Sequence, residues 1–215
     1  MINDIVVIGA GDTGREYIDL IECINRVEKK WNIIGFVDDN PRIQGEIIDG
    51  TPILGTVDWL NHVENEIYAV CSISNGMIKK KVISKIKNSK VKYATLIDPN
   101  VTFCNGSRCE EGAVVYAGTV LAINTQIGKH VYISFNSSIG HDTVISDYCN
   151  IYPGVNVSGK VNIGECTDLG TGTKIIQGLS VGKNTMVGAG SVVIKDIPEN
   201  CTAVGAPAKP IKFNE

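Results

Sequence analysis

From Ile97 onward, every sixth residue is apolar or nearly so. The series runs Ile97, Phe103, Cys109, Val115, Leu121, Ile127, Ile133, Ile139, Ile145, Ile151, Val157, Ile163, Leu169, Ile175, Val181, Val187 and Val193. These seventeen positions follow without an insertion, and all but Phe103 and Cys109 are Ile, Leu or Val. The residue four places on is usually small or β-branched, as at Ala113, Thr119, Ser137, Thr143 and Thr173, with Leu179 and Ile197 as bulkier exceptions. The residue just after the apolar one is Gly at positions 128, 140, 164, 170, 182 and 188.

A period of six fits neither an amphipathic helix nor an alternating strand. It fits a parallel β-helix of hexapeptides, in which each hexad gives one short strand and one turn. Three hexads close a triangular coil, so residues eighteen apart stack. Large aliphatics fill the centre, and the small residue sits near the corner. The glycines are expected to supply the unusual backbone of the turn. Coils at the inter-strand spacing of about 4.8 Å give a prism about 25 Å tall.

These hexads resemble those of the left-handed β-helix acyltransferases, an exception to the right-handed crossover rule. The left hand is implied by that resemblance. The run Val204-Gly205-Ala206-Pro207-Ala208-Lys209-Pro210 is similar to the closing segment of the same family, beside its acyl-CoA site.

A net charge of −3 gives no electrostatic reason to expect nucleic acid as a partner. The seven cysteines are scattered and form no CxxC pair, which points to a reduced, cytoplasmic setting. The N-terminus has no basic region and its apolar run stops at Gly9, so neither a signal peptide nor a membrane span is expected. No metal cluster is evident.

Ahead of the hexads, residues 2–8 read as a buried parallel strand. Gly9-Ala10-Gly11-Asp12-Thr13-Gly14 follows, and then a helical pattern from Arg15 to about Glu28, with Tyr17, Ile18, Ile21, Ile24 and Val27 as its apolar face. A second strand, 32–37, ends in Asp38-Asp39. A third, 67–73, is followed by Ser74-Asn75-Gly76 and a basic helix from Met77 to Ser89. The chain is therefore expected to hold a small α/β Rossmann-like domain over 1–96 and an all-β domain over 97–215, parting near Asp98-Pro99.

Gly9, Gly11 and Gly14 match G-x-G-x-x-G between a strand and a helix. Only three or four β/α steps are read here, whereas a dinucleotide fold needs two mononucleotide halves. A single nucleotide or nucleotide-sugar is the favoured ligand, its phosphate at the helix N-terminus. NAD and a purely structural glycine turn remain the alternatives.

Together the two domains resemble the bacterial sugar acetyltransferases that include sialic acid O-acetyltransferases and N-acetyltransferases of nucleotide-linked 4-amino-4,6-dideoxy sugars. The resemblance implies a nucleotide-sugar site at Gly11, Asp12, Thr13, Asp38, Asp39 and Asn75. It implies acetyl-CoA as co-substrate in a groove between two prisms of a homotrimer, at Asn150, Gly159, Thr171, Ala189 and Lys209. At Asn150 the subgroup often has a second His.

Three histidines are present. His62 is expected to be exposed, and His130 to face solvent at a corner. His141 also lies at a corner and is followed by Asp142. Gly140-His141-Asp142 matches the family's catalytic His-acid pair, and Gly159 should stack over His141, leaving a slot without a side chain. Acetyl transfer from a thioester to an amine needs the neutral amine and a base to take its proton. Imidazole titrates in the right range, and the oxyanion needs a fixed donor such as a backbone N–H. The leading expectation is thus an acetyl-CoA-dependent N-acetyltransferase of a nucleotide-linked 4-amino-4,6-dideoxy sugar. An O-acetyltransferase of sialic acid or another sugar is the alternative, and a non-enzymatic trimeric scaffold or nucleotide sensor the third.

Overall fold

Eighteen-residue stacking is what the chain adopts. A computed structural model describes residues 2–213, and the chain divides into two compact units, Met1–Pro99 and Asn100–Glu215.

In the second unit each hexad makes a two-residue strand, and three ladders of parallel strands form the faces of a left-handed β-helix. On the first face Leu121 pairs with Ile139, Ile139 with Val157, Val157 with Ile175, and Ile175 with Val193. On the second, Ile127 pairs with Ile145, Ile163 and Val181 in turn. The third carries Val115, Ile133, Ile151, Leu169 and Val187, and continues into the hairpin Cys201–Gly205 and Ala208–Phe213. The aliphatics from Leu121 to Val193 are buried to within a few per cent. Each contributes about 1.5–3 kcal/mol by leaving water. The first coil differs: Phe103 is 43% exposed.

The small residue four places on has a second task. Thr143 donates to the Ser158 carbonyl at 3.0 Å, Thr167 to Gly182 at 2.7 Å and Thr173 to Gly188 at 3.2 Å. Each of these three hydroxyls is buried and ties one corner to the next coil, so its burial is matched by a hydrogen bond, whereas Thr125 Oγ1 in the same column has no partner among the described residues.

The glycines correct one expectation. The left-handed residue of each turn lies three places after the apolar one, as at Gly118 (φ 72°), Asn124 (φ 60°) and Asp142 (φ 57°). The glycines directly after the apolar residue do not have positive φ. They admit the next coil: a Cβ on Gly170 would lie 2.6 Å from Ala189 N, and one on Gly128 would lie 2.7 Å from Asp147 N.

The first unit is Rossmann-like. Its elements are β1 (Asn3–Ile8), α1 (Asp12–Val27), β2 (Trp31–Val37), β3 (Ile47–Ile48), β4 (Thr51–Gly55), β5 (Ile67–Cys71), α2 (Gly76–Lys85) and β6 (Val91–Tyr93). The sheet order is β3-β4-β2-β1-β5-β6, parallel except for β3 against β4. Ile5 to Ile8 are fully buried at its centre, as a strand covered on both faces requires. From β1 the chain builds outward to β2 and β4 on one side and to β5 and β6 on the other. The switch point lies between β1 and β5, where open α/β sheets bind ligands. The five parallel strands are joined by four crossovers, within the three or four β/α steps read from sequence. The connections around β4 use short 3-10 turns, Pro41–Ile43 and Val57–His62, in place of α-helices.

Helix α1 starts at Asp12, three residues before the expected Arg15, because Gly11 is its N-cap. It buries Gly14, Tyr17, Leu20 and Ile21, while Val27, expected on the apolar face, is 74% exposed.

Candidate active site

His141 and Asp142 sit on the edge of the prism between its first and second faces. Asp142 occupies the left-handed turn position, which Asp tolerates better than most residues. Its Oδ2 lies 2.9 Å from His141 Nδ1. Its Oδ1 accepts from Asn124 Nδ2 at 3.1 Å. The bond to His141, then that to Asn124, holds the carboxyl below the usual carboxylate range. Both members of the pair are part-exposed, so a substrate can reach them. With Asp142 on Nδ1, Nε2 is the nitrogen left for chemistry. It lies over Gly159, where a Cβ would come within 2.6 Å of the ring Cε1.

Asn124 was not singled out in the sequence. The eighteen-residue spacing to Asp142 would have found it.

The other candidate acyl-donor positions divide. Thr171 and Ala189 are exposed and stack on another edge, between the third and first faces, where Gly190 N donates to Thr171 O at 2.8 Å. Lys209 is exposed on the closing hairpin, opposite Val204. Asn150 is fully buried, its amide donating to Asp168 Oδ1 at 2.7 Å. It lies in the third-face strand Asn150–Ile151, with its side chain closed off from solvent within one chain. One prism thus brings Gly159 to His141 but leaves Thr171 and Ala189 on a different edge.

The remaining histidines separate. His62 is exposed and meets Asp58 Oδ2 at 3.1 Å. His130 is only 3% exposed and stacks on Tyr148 with ring centroids 5.3 Å apart. Its solvent-facing placement is therefore corrected. Gly112, eighteen residues earlier, leaves the hole: a Cβ there would come within 2.6 Å of the His130 ring.

In the first unit, Gly9, Gly11, Asp12, Thr13, Gly14 and Asp38 line a cleft of about 370 Å³ with Ser72, Ile73 and Ser74. Gly9 has φ 98°, and a Cβ would lie 2.8 Å from Ser72 Oγ. That hydroxyl lies 3.0 Å from both the Ile8 and the Gly9 carbonyls, which share its one proton. Ser72 lies outside the glycine motif, so residue types alone do not mark it. Gly11 faces open space, so a phosphate can approach the start of α1. Asp12 is exposed and pairs with Arg15 at 3.4 Å.

Asp38 is more committed than its sequence position suggested. Its Oδ2 accepts from Ala10 N at 2.9 Å and its Oδ1 from Asn40 N at 2.8 Å, so the carboxylate anchors the glycine loop. Asp39 accepts from Val57 N at 2.9 Å and lies 3.5 Å from Lys85 Nζ. It lines an adjoining, more apolar cleft of about 550 Å³ with Val57, Ile78 and Val82, and the two clefts share Gly9, Asp38 and Ile73. Asn75 lines neither. It is the N-cap of α2, its side chain accepting from Ile78 N at 2.9 Å.

Among the described residues no group of three His, Cys, Asp or Glu side chains could hold a metal ion. No helix among them is long and apolar enough to cross a membrane. None of the seven cysteines is in a disulfide.

Residues 4–86 match the family model described as the PglD N-terminal domain. The GDP-perosamine N-acetyltransferase of Escherichia coli O157:H7 is 28% identical over 213 residues, covering 96% of this chain and 95% of the relative. A Saccharomyces cerevisiae (strain ATCC 204508 / S288c) protein described as "Putative acetyltransferase YJL218W" is 36% identical over 179 residues, covering 79% of this chain and 89% of its own. The crystal structure of PerB from Caulobacter crescentus in complex with CoA and GDP-perosamine superposes with a TM-score of 0.87 at 26% identity, covering 99% of each chain.

Proposed function

Because this chain belongs to the hexapeptide-repeat sugar acetyltransferases, we propose that it transfers the acetyl group of acetyl-CoA to the amine of a nucleotide-linked 4-amino-4,6-dideoxy sugar. The observation that carries this reading is the pair in the prism: His141 Nδ1 2.9 Å from Asp142 Oδ2, with Nε2 over the bare Gly159. The similar chains point to the acceptor class, since one is a GDP-perosamine N-acetyltransferase and another was crystallised with CoA and GDP-perosamine.

In the proposed reaction the neutral amine attacks the thioester carbonyl. As the N–C bond forms, His141 Nε2 takes the proton from nitrogen. The tetrahedral intermediate collapses with loss of the C–S bond, and the proton passes from the imidazolium to the leaving thiolate. Asp142 orients the ring and stabilises its cation. No covalent enzyme intermediate is required.

Asn150, Gly159, Thr171, Ala189 and Lys209 are the proposed acetyl-CoA positions, with Asn150 held by its bond to Asp168. Thr171 and Ala189 lie on a different edge from His141. A groove joining them needs edges from two chains, which supports a homotrimer. The nucleotide is proposed to bind at Gly11, Asp12, Thr13, Asp38 and Asp39, phosphate by the glycine loop and base in the apolar cleft. Cysteines outside disulfides accord with a cytoplasmic setting.

The test is incubation with acetyl-CoA and a panel of UDP-, GDP- and dTDP-linked 4-amino sugars, with sialic acid beside them. The expected product is an amide that resists hydroxylamine. An ester product cleaved by hydroxylamine, formed on sialic acid alone, would replace this reading with O-acetylation.

A further inference from the structure

Asn124 precedes Asp142 by eighteen residues, and both occupy the left-handed turn position, with φ of 60° and 57°. Stacking therefore places one side chain over the other. Asn124 Nδ2 donates to Asp142 Oδ1 at 3.1 Å while Asp142 Oδ2 meets His141 Nδ1 at 2.9 Å, so each oxygen of the carboxylate has its own partner. Asn124 is itself fixed from behind. Its side chain fills the space above Gly106, where a Cβ would lie 3.3 Å from Asn124 Cγ. A carboxylate held at one oxygen can turn about its last bond; one held at both cannot.

We propose that Asn124 is a positioning residue for acetyl transfer. It locks Asp142 Oδ2 onto His141 Nδ1 and so keeps the imidazole in the Nδ1–H tautomer, its Nε2 lone pair turned toward the acceptor amine. A neutral imidazole carries one proton, and the hydrogen bond made by one nitrogen sets the state of the other. With the proton on Nε2 instead, the ring has no lone pair there to accept one. This proposal rests on the reading of His141 as the base.

Two substitutions separate positioning from mere structure. Asn124→Gly removes the donor and keeps the left-handed backbone unstrained. Asn124→Asp keeps the shape but turns an acceptor toward Asp142. Long-range ¹H–¹⁵N spectra of the histidine rings report the tautomer, and steady-state kinetics report turnover on the same samples. Wild type should show His141 as Nδ1–H. Both variants should gain the Nε2–H form, with kcat down about 10-fold in Asn124→Gly, further down in Asn124→Asp, and little change in either KM. An unchanged tautomer in both variants, or unchanged kcat in Asn124→Gly, overturns the proposal. Should His141→Ala keep full turnover, the base reading fails instead, and the spectra still score the hold of Asn124 on the pair.

Discussion

The imidazole of His141 lies in the space that a side chain on Gly159, eighteen residues later, would occupy. The backbone of Gly159 is outside the positive-φ region, so alanine is conformationally allowed there, and the nearest atoms its Cβ would meet are those of the ring. Gly159→Ala should therefore fold normally while pushing His141 aside. We expect kcat to fall about 10–100-fold, with nucleotide-sugar affinity and Tm nearly unchanged. Kinetics alongside thermal unfolding check this; a stable variant with full turnover would show that the slot is unimportant.

Asp38 is expected to matter twice. Its carboxylate accepts from Ala10 N and Asn40 N, so Asp38→Ala leaves two loop amides without their acceptor. Stability should drop by about 1–2 kcal/mol. Nucleotide-sugar binding should weaken as the glycine loop loosens, while acetyl-CoA affinity stays the same. Urea unfolding and calorimetry on one preparation separate the two effects. Loss of binding with no loss of stability would mean that Asp38 acts mainly by touching the ligand.

The depressed Asp142 carboxyl sets a pH dependence with a definite sign. Its folded-state pKa is lowered by His141 and Asn124. The carboxylate therefore stabilises the fold above the unfolded value of about 3.9, and that contribution disappears as pH falls through the lower folded value. Carbon NMR of the Asp142 carboxyl should show titration below the ordinary range. Asn124→Gly should move it up. A titration at or above the ordinary Asp value would contradict the arrangement.

The hexad register was readable because each core position repeats at six and each stacked partner at eighteen, as in Leu121, Ile139 and Val157. The turn was misread because glycine answers two different needs. Gly170 makes room for the backbone at Ala189, whereas the left-handed position is occupied by Asn124, Asp142 and Lys160 as well as by Gly118. Burial of His130 and Asn150 was hidden for a related reason. Each depends on what lies one coil away, Gly112 beneath the first and Asp168 above the second. In the first unit the glycine loop and the acidic pair were found at the right strand ends. The capping role of Asn75 and the tie made by Ser72 depend on local backbone geometry that residue types alone do not encode.

The decisive measurement is the turnover of His141→Ala with acetyl-CoA and the preferred nucleotide-linked amino sugar. We predict that kcat falls about 10²–10⁴-fold while the affinity for the nucleotide-sugar holds, because the ring supplies the base and little of the binding. Wild-type turnover by that variant would contradict the assignment of His141.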